Sequence, residues 1–238
     1  MPPIGGPLKR IERAKFHLDD LNSQFGVFMD SDPYPISREP DTKKGGYLYR
    51  IGVRSEPPAS LGLIFGDFVH NLRASLDNLI YEIAFQNRRR LSFPVYSNGA
   101  KFAIEFAPLL RSSVSSQDFD LIEGLQPYHA RDSWDDRLKL RVLNSFWNKD
   151  KHRTTTPIVT ASYMAASIGG DPSNFRLYHG DIYDGKPIAW VGPTHPYPDR
   201  QPQLPVHIRF RRRPIVLIES LPEYHRYVEG ILRAFENA

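Results

Sequence analysis

The chain has 238 residues, 40% of them apolar and 24% charged, enough for one large domain or two small ones around a real core. The 31 Lys and Arg against 27 Asp and Glu leave a formal charge of +4, a mild excess that permits an anionic partner without demanding one. There is no Cys, which excludes disulfides, Cys-ligated zinc and a thiol nucleophile; no stretch resembles a signal core or a membrane span, so a cytoplasmic protein without a membrane partner is expected.

In chain order, residues 8–28 read as a helix, with Ile11, Ala14, Leu18, Leu21, Phe25 and Phe28 along one stripe and His17 one residue off it. Residues 30–42 read as a loop. Residues 46–56 alternate, with Tyr47, Tyr49, Ile51 and Val53 on one face, as a half-buried strand does. Pro57-Pro58 stops it, and Ser60 is placed to cap a long helix from Leu61 to Phe85. A short apolar stretch, LSFPVY (91–96), leads to a turn at Ser97-Asn98-Gly99 and a short helix over 101–110. Ser115 to Asp118 looks like a helix start, with the helix running to about Leu125. Ser133 followed by Asp135 and Asp136 suits the start of a helix over 134–152, closed by Thr154-Thr155-Thr156-Pro157. After that the pattern turns strand-like at 157–166, 175–183, 188–191, 206–210 and 215–218, with Asp184-Gly185 as a turn signal. Residues 221–235 form a closing helix. These elements predict an α+β fold in a single domain over 1–238: mostly helical to 153, β-rich over 154–220, with a small antiparallel sheet in the C-terminal third.

The 61–85 helix is the informative one. Leu61, Phe65, Phe68, Leu72, Leu76, Leu79 and Ile83 make its apolar stripe. Away from that stripe stand His70, Arg73, Asp77 and Tyr81, an imidazole, a guanidinium, a carboxylate and a phenol at steps of three, four and four. Such groups can bond one another, fixing how helices dock, or bond a ligand. The 134–152 helix carries a second polar stripe, Arg141, Asn144, Asn148 and His152, with Asp150 beside it.

The pairing of HNLRASLDNL (70–79) with NKDKHR (148–153) resembles a widespread group of uncharacterised bacterial and phage proteins. The likeness extends to Arg13-Ala14 and His17, Pro57-Pro58 before Gly66-Asp67, Phe93-Pro94, and Gln126-Pro127-Tyr128. A looser resemblance is to HEPN domains, helical bundles that include metal-independent ribonucleases using an Arg and a His on one helix. Asn148 and His152 match the second part of that motif, but Trp147 stands where its Arg belongs, so a nuclease site needs Arg73 from the other helix. The resemblance implies a HEPN-like helical bundle.

Three functional readings follow. In the first, His70, Arg73, Asp77, Asn148, Asp150 and His152 form a site acting on RNA or a nucleotide, with a histidine as acid or base and Arg73 stabilising phosphoryl charge. In the second, both stripes are a structural network inside a non-catalytic binding or scaffold module. In the third, His17, His70, Asp77, Asp150 and His152 hold a metal, although no H-E-x-x-H spacing is present. No cofactor is expected, and a homodimer is compatible with the chain.

Overall fold

The computed structural model describes residues 4–150, 157–161, 172–178, 180–194, 206–210 and 217–236. The fold is α+β and mainly helical, as expected. Contacts gather it into two compact units: Met1–Leu21, Gly62–Thr155 and Glu219–Ala238 form the first, Asn22–Leu61 and Thr156–Ile218 the second.

The first unit is helical. It holds most of α1 (Gly5–Asp30) and α2 (Ala59–Ile83), then α3 (Gly99–Glu105), α4 (Ala107–Arg111), α5 (Ser116–Gly124), α6 (Arg137–Asp150) and α7 (Leu221–Glu236). The α2 stripe is core: Phe65, Phe68, Leu72, Leu76 and Leu79 are at most 1% exposed. Val69, Ser75 and Ile80 are buried too, so the face that packs is wider than the stripe. Phe65 meets Phe146 of α6 edge to face, with centroids 5.2 Å apart. The closing helix α7 buries Leu221, His225, Val228, Ile231, Leu232 and Phe235, a face at steps of three and four.

Several boundaries move, each for a local reason. The 61–85 helix starts at Ala59, before Ser60, whose hydroxyl donates to Gln24 Oε1 at 3.1 Å instead of capping. The 101–110 helix is two helices, broken at Phe106, because Pro108 has no N–H to continue the ladder. The cap of α3 is Asn98, whose Oδ1 accepts from Lys101 N at 3.0 Å. Ser115 caps α5 as expected, accepting from Asp118 N at 3.0 Å. The 134–152 helix begins only at Arg137. Residues 131–136 form a turn instead, because the Asp132 and Asp135 carboxylates accept backbone N–H groups that a helix would otherwise satisfy.

The second unit carries the strands. A four-stranded antiparallel sheet runs in the order β1 (Ile36–Pro40), β2 (Tyr47–Ile51), β6 (Lys186–Val191), β4 (Phe175–Leu177). A three-stranded sheet runs β5 (Gly180–Asp181), β3 (Pro157–Ala161), β7 (Val206–Phe210). The larger sheet thus recruits two strands from the first quarter of the chain. One of them, β1, lies in the stretch read as a loop. Four of its five residues are exposed and it ends in Pro40, so it has the polarity of an edge strand and no alternation to announce it. The 46–56 strand stops at Ile51, with Tyr49 and Ile51 buried. Of the 215–218 stretch, Ile218 opens a short 3₁₀ turn (Ile218–Ser220), and 215–216 lie outside the described residues.

Candidate functional site

Arg73 and Asp77 stand one turn apart on α2, so their side chains meet. Arg73 Nη2 donates to Asp77 Oδ1 at 2.8 Å and to the carbonyl of Phe93 at 2.6 Å. Asp77 Oδ1 also accepts the Phe93 N–H at 2.9 Å. The pair therefore grips both backbone groups of one residue, as a neighbouring strand would. Arg73 is 3% exposed and Phe93 1%. Burial pulls the Arg73 guanidinium below its ordinary pKa, and the Asp77 charge and hydrogen bond offset part of that pull.

The next residues of the same stretch are gripped from the other side. Gln126, fully buried, donates from Nε2 to the Pro94 carbonyl at 3.1 Å and to Ile122 O at 2.9 Å. Its Oε1 accepts Tyr96 N–H at 3.0 Å. Among the described residues the 93–96 segment pairs with no strand, and side chains from α2 and from the end of α5 supply its partners. Replacing Gln126 with Ala leaves these backbone groups buried and unpaired. The expected loss is about 2–3 kcal/mol in urea unfolding, and Gln126→Glu, which cannot donate, should recover little of it.

Tyr128, just beyond, donates to Glu123 Oε1 at 2.7 Å, and His129 Nε2 bonds the same oxygen at 2.8 Å. Partial burial works to raise the Glu123 pKa, but these two bonds and the nearby positive charge outweigh it, so the carboxyl sits below its ordinary 4.5. A depressed folded-state pKa contributes stability above the unfolded value and loses it as pH falls through the folded one. The melting temperature should therefore drop between about pH 5 and about pH 3 more steeply in the wild type than in Glu123→Gln.

Of the four predicted site residues whose side chains are described, His70, Arg73, Asp77 and Asn148, Arg73 and Asp77 are brought into one network. His70 is exposed on α2 and makes no hydrogen bond among the described residues. Asn148 is exposed near the end of α6. Asp150 is the last residue of that helix, its side chain outside the described ones, and His152 lies wholly outside them. The two helices do approach at Arg73: its Cζ lies 5.1 Å from the Trp147 ring centroid, a cation–π distance. Arg73 Nε and Nη1 are buried and find no hydrogen-bond partner among the described residues. His17 is buried on α1, edge to face with Phe16. Among the described residues no group of three His, Asp or Glu side chains could hold a metal ion, and no helix is long and apolar enough to cross a membrane.

Gln126 was legible only as part of the Gln126-Pro127-Tyr128 likeness. Its role depends on a segment about thirty residues away, and no local pattern announces it. Arg73, Asp77 and Gln126 together hold the 93–96 segment in place. No family model matches the chain, and neither a curated protein nor a solved structure matches it.

Proposed function

We propose that this chain is a non-catalytic binding module on a HEPN-like helical scaffold, in which Arg73 and Asp77 are structural. One observation supports the reading. The guanidinium that a nuclease would aim at phosphate is 3% exposed and spends its Nη2 on Asp77 and the Phe93 carbonyl. A second reading, metal-independent cleavage of RNA or a nucleotide, draws on the two unengaged nitrogens of Arg73 beside Trp147.

Turnover of single-stranded RNA and of nucleoside triphosphates by the purified chain separates the two. The module reading expects no turnover, and a melting temperature that falls in Arg73→Ala and holds in His70→Ala. Cleavage by the wild type that is lost in His152→Ala, with the melting temperature unchanged, would replace it with the nuclease reading.

A further inference from the structure

We infer that the turn after α2, which carries Arg88, Arg89 and Arg90 beside the exposed rings of Tyr81 and Phe85, binds single-stranded nucleic acid without cleaving it. The inference rests on the binding-module reading and names the partner's chemistry.

α2 ends at Ile83, and the chain leaves it through Asn87, at φ +56°, into a 3₁₀ turn over Arg88–Arg90. Bonds to the connection between α4 and α5 pin this turn. Phe85 N–H donates to the Ser113 carbonyl and Asn87 Nδ2 to Ser113 Oγ, each at 2.9 Å. Gln86 Nε2 donates to the Ser112 carbonyl. Arg90 N–H closes the turn on the Asn87 carbonyl at 2.8 Å. Ser113 is fully buried, so the turn is anchored to the core of the helical unit. Its backbone needs little further ordering on binding.

Only one of the three arginines serves the fold. Arg88 Nε donates to the Ala84 carbonyl at 2.6 Å, satisfying an acceptor at the helix end, and its Cζ lies 5.5 Å from the Tyr81 ring centroid. The Arg89 and Arg90 side chains are exposed and make no hydrogen bond, ion pair or ring contact among the described residues. Cations that complement a helix dipole sit in its last turn, and these two lie past it in a turn of their own. The bonds join segments 81–90 and 111–118, whose two acids are engaged elsewhere. Glu82 Oε1 lies at the start of α1, 3.9 Å from where a Cβ on Gly6 would sit, and Asp118 Oδ2 accepts the Ser115 hydroxyl at 2.7 Å. Arg111 stands 4.3 Å from the Phe119 ring centroid and helps to keep Glu123 ionised. No carboxylate among the described residues pairs with Arg88, Arg89 or Arg90.

The neighbouring rings select the partner. Phe85 is 64% exposed and Tyr81 47%. A phosphate takes the guanidinium fork in charge-assisted bonds, and every base has a face that stacks on an aromatic ring, so an unpaired strand meets both needs. A duplex keeps those faces inside its own stack. An acidic peptide would pair with the arginines and leave the rings without a flat partner. Adsorption to an anionic membrane takes a cluster of about four to eight cations, more than this turn offers.

The test uses the full chain with fluorescein-labelled oligouridylate and oligothymidylate, read by anisotropy. Both should bind in the micromolar range at low salt, because no contact named reads the 2′-hydroxyl. The logarithm of the binding constant should fall against the logarithm of salt with a slope of about −2, as about three phosphate contacts give. Arg89→Glu/Arg90→Glu should weaken binding at least about tenfold with the melting temperature unchanged, since neither side chain serves the fold. Phe85→Ala should weaken it about fivefold or more. Arg131→Glu/Arg226→Glu, the same charge change at α7 and the 131–136 turn, should leave it as it was. No binding by the wild type, or binding that survives Arg89→Glu/Arg90→Glu, would overturn the inference. So would equal weakening by the two charge-reversed pairs, Phe85→Ala binding as the wild type does, or tighter binding of duplex RNA, of polyglutamate or of phosphatidylserine vesicles than of the single strands. Cleavage of the bound strand, lost in His152→Ala, would instead overturn the module reading, so the two failures are distinguishable.

Discussion

Replacing Arg73 with alanine is expected to cost the fold about 3–5 kcal/mol, the range for removing one partner of a buried ion pair. Two losses combine. The Asp77 carboxylate, 27% exposed, loses its cation, and the Phe93 carbonyl loses the donor it has in the core. The Trp147 ring loses the guanidinium that faces it. Urea unfolding followed by circular dichroism gives the size. The partition needs a double-mutant cycle with Asp77→Ala. If the pair acts as one clamp on Phe93, the double variant should cost little more than the worse single one. A lysine at 73 should rescue only part, because a point charge cannot reach both Asp77 and the Phe93 carbonyl in the geometry of the planar group. Unchanged stability in Arg73→Ala, with Phe93 still protected from amide exchange, would refute the clamp.

Gly46→Ala is the second large effect, and it falls in the strand-bearing unit. Gly46 has φ +78°, a conformation that non-glycine residues rarely adopt, and it lies just before β2. An added Cβ would sit 2.1 Å from the Val191 carbonyl and 2.8 Å from Gly192 Cα. Both are backbone, so relief requires β6 to separate from β2 where Tyr47 pairs with Val191. The turn behind Gly46 cannot shift freely either. Asp41 accepts the N–H groups of Lys43 and Lys44, each at 3.0 Å, and its own N–H donates to the Gly46 carbonyl at 3.0 Å. Strain and lost pairing together should cost about 3 kcal/mol or more. The readout is local: amide exchange across Tyr47–Ile51 should accelerate, while α2 amides in the other unit change little. Wild-type exchange in that strand would mean that β6 accommodates the methyl.

The sequence by itself determined most of the helices and the residues they bury. A 3.6-residue repeat is local, so the α2 stripe, the α7 face, the Ser115 cap and the Asp184-Gly185 turn could be read without knowing any partner. It also marked Arg73 and Asp77 as unusual, since a guanidinium and a carboxylate stand with an imidazole and a phenol away from the apolar stripe of α2. Only the tertiary structure decided what they hold. The backbone of Phe93 shows no periodicity, and its need for partners arises because the 93–96 segment is buried without a strand beside it. The same reason hid β1, whose polar edge pairs with β2 only through a register set by the hairpin turn. Strand order β1-β2-β6-β4 likewise joins segments more than a hundred residues apart, a pairing that depends on backbone hydrogen bonds common to every residue type and therefore leaves little trace in which residues are present.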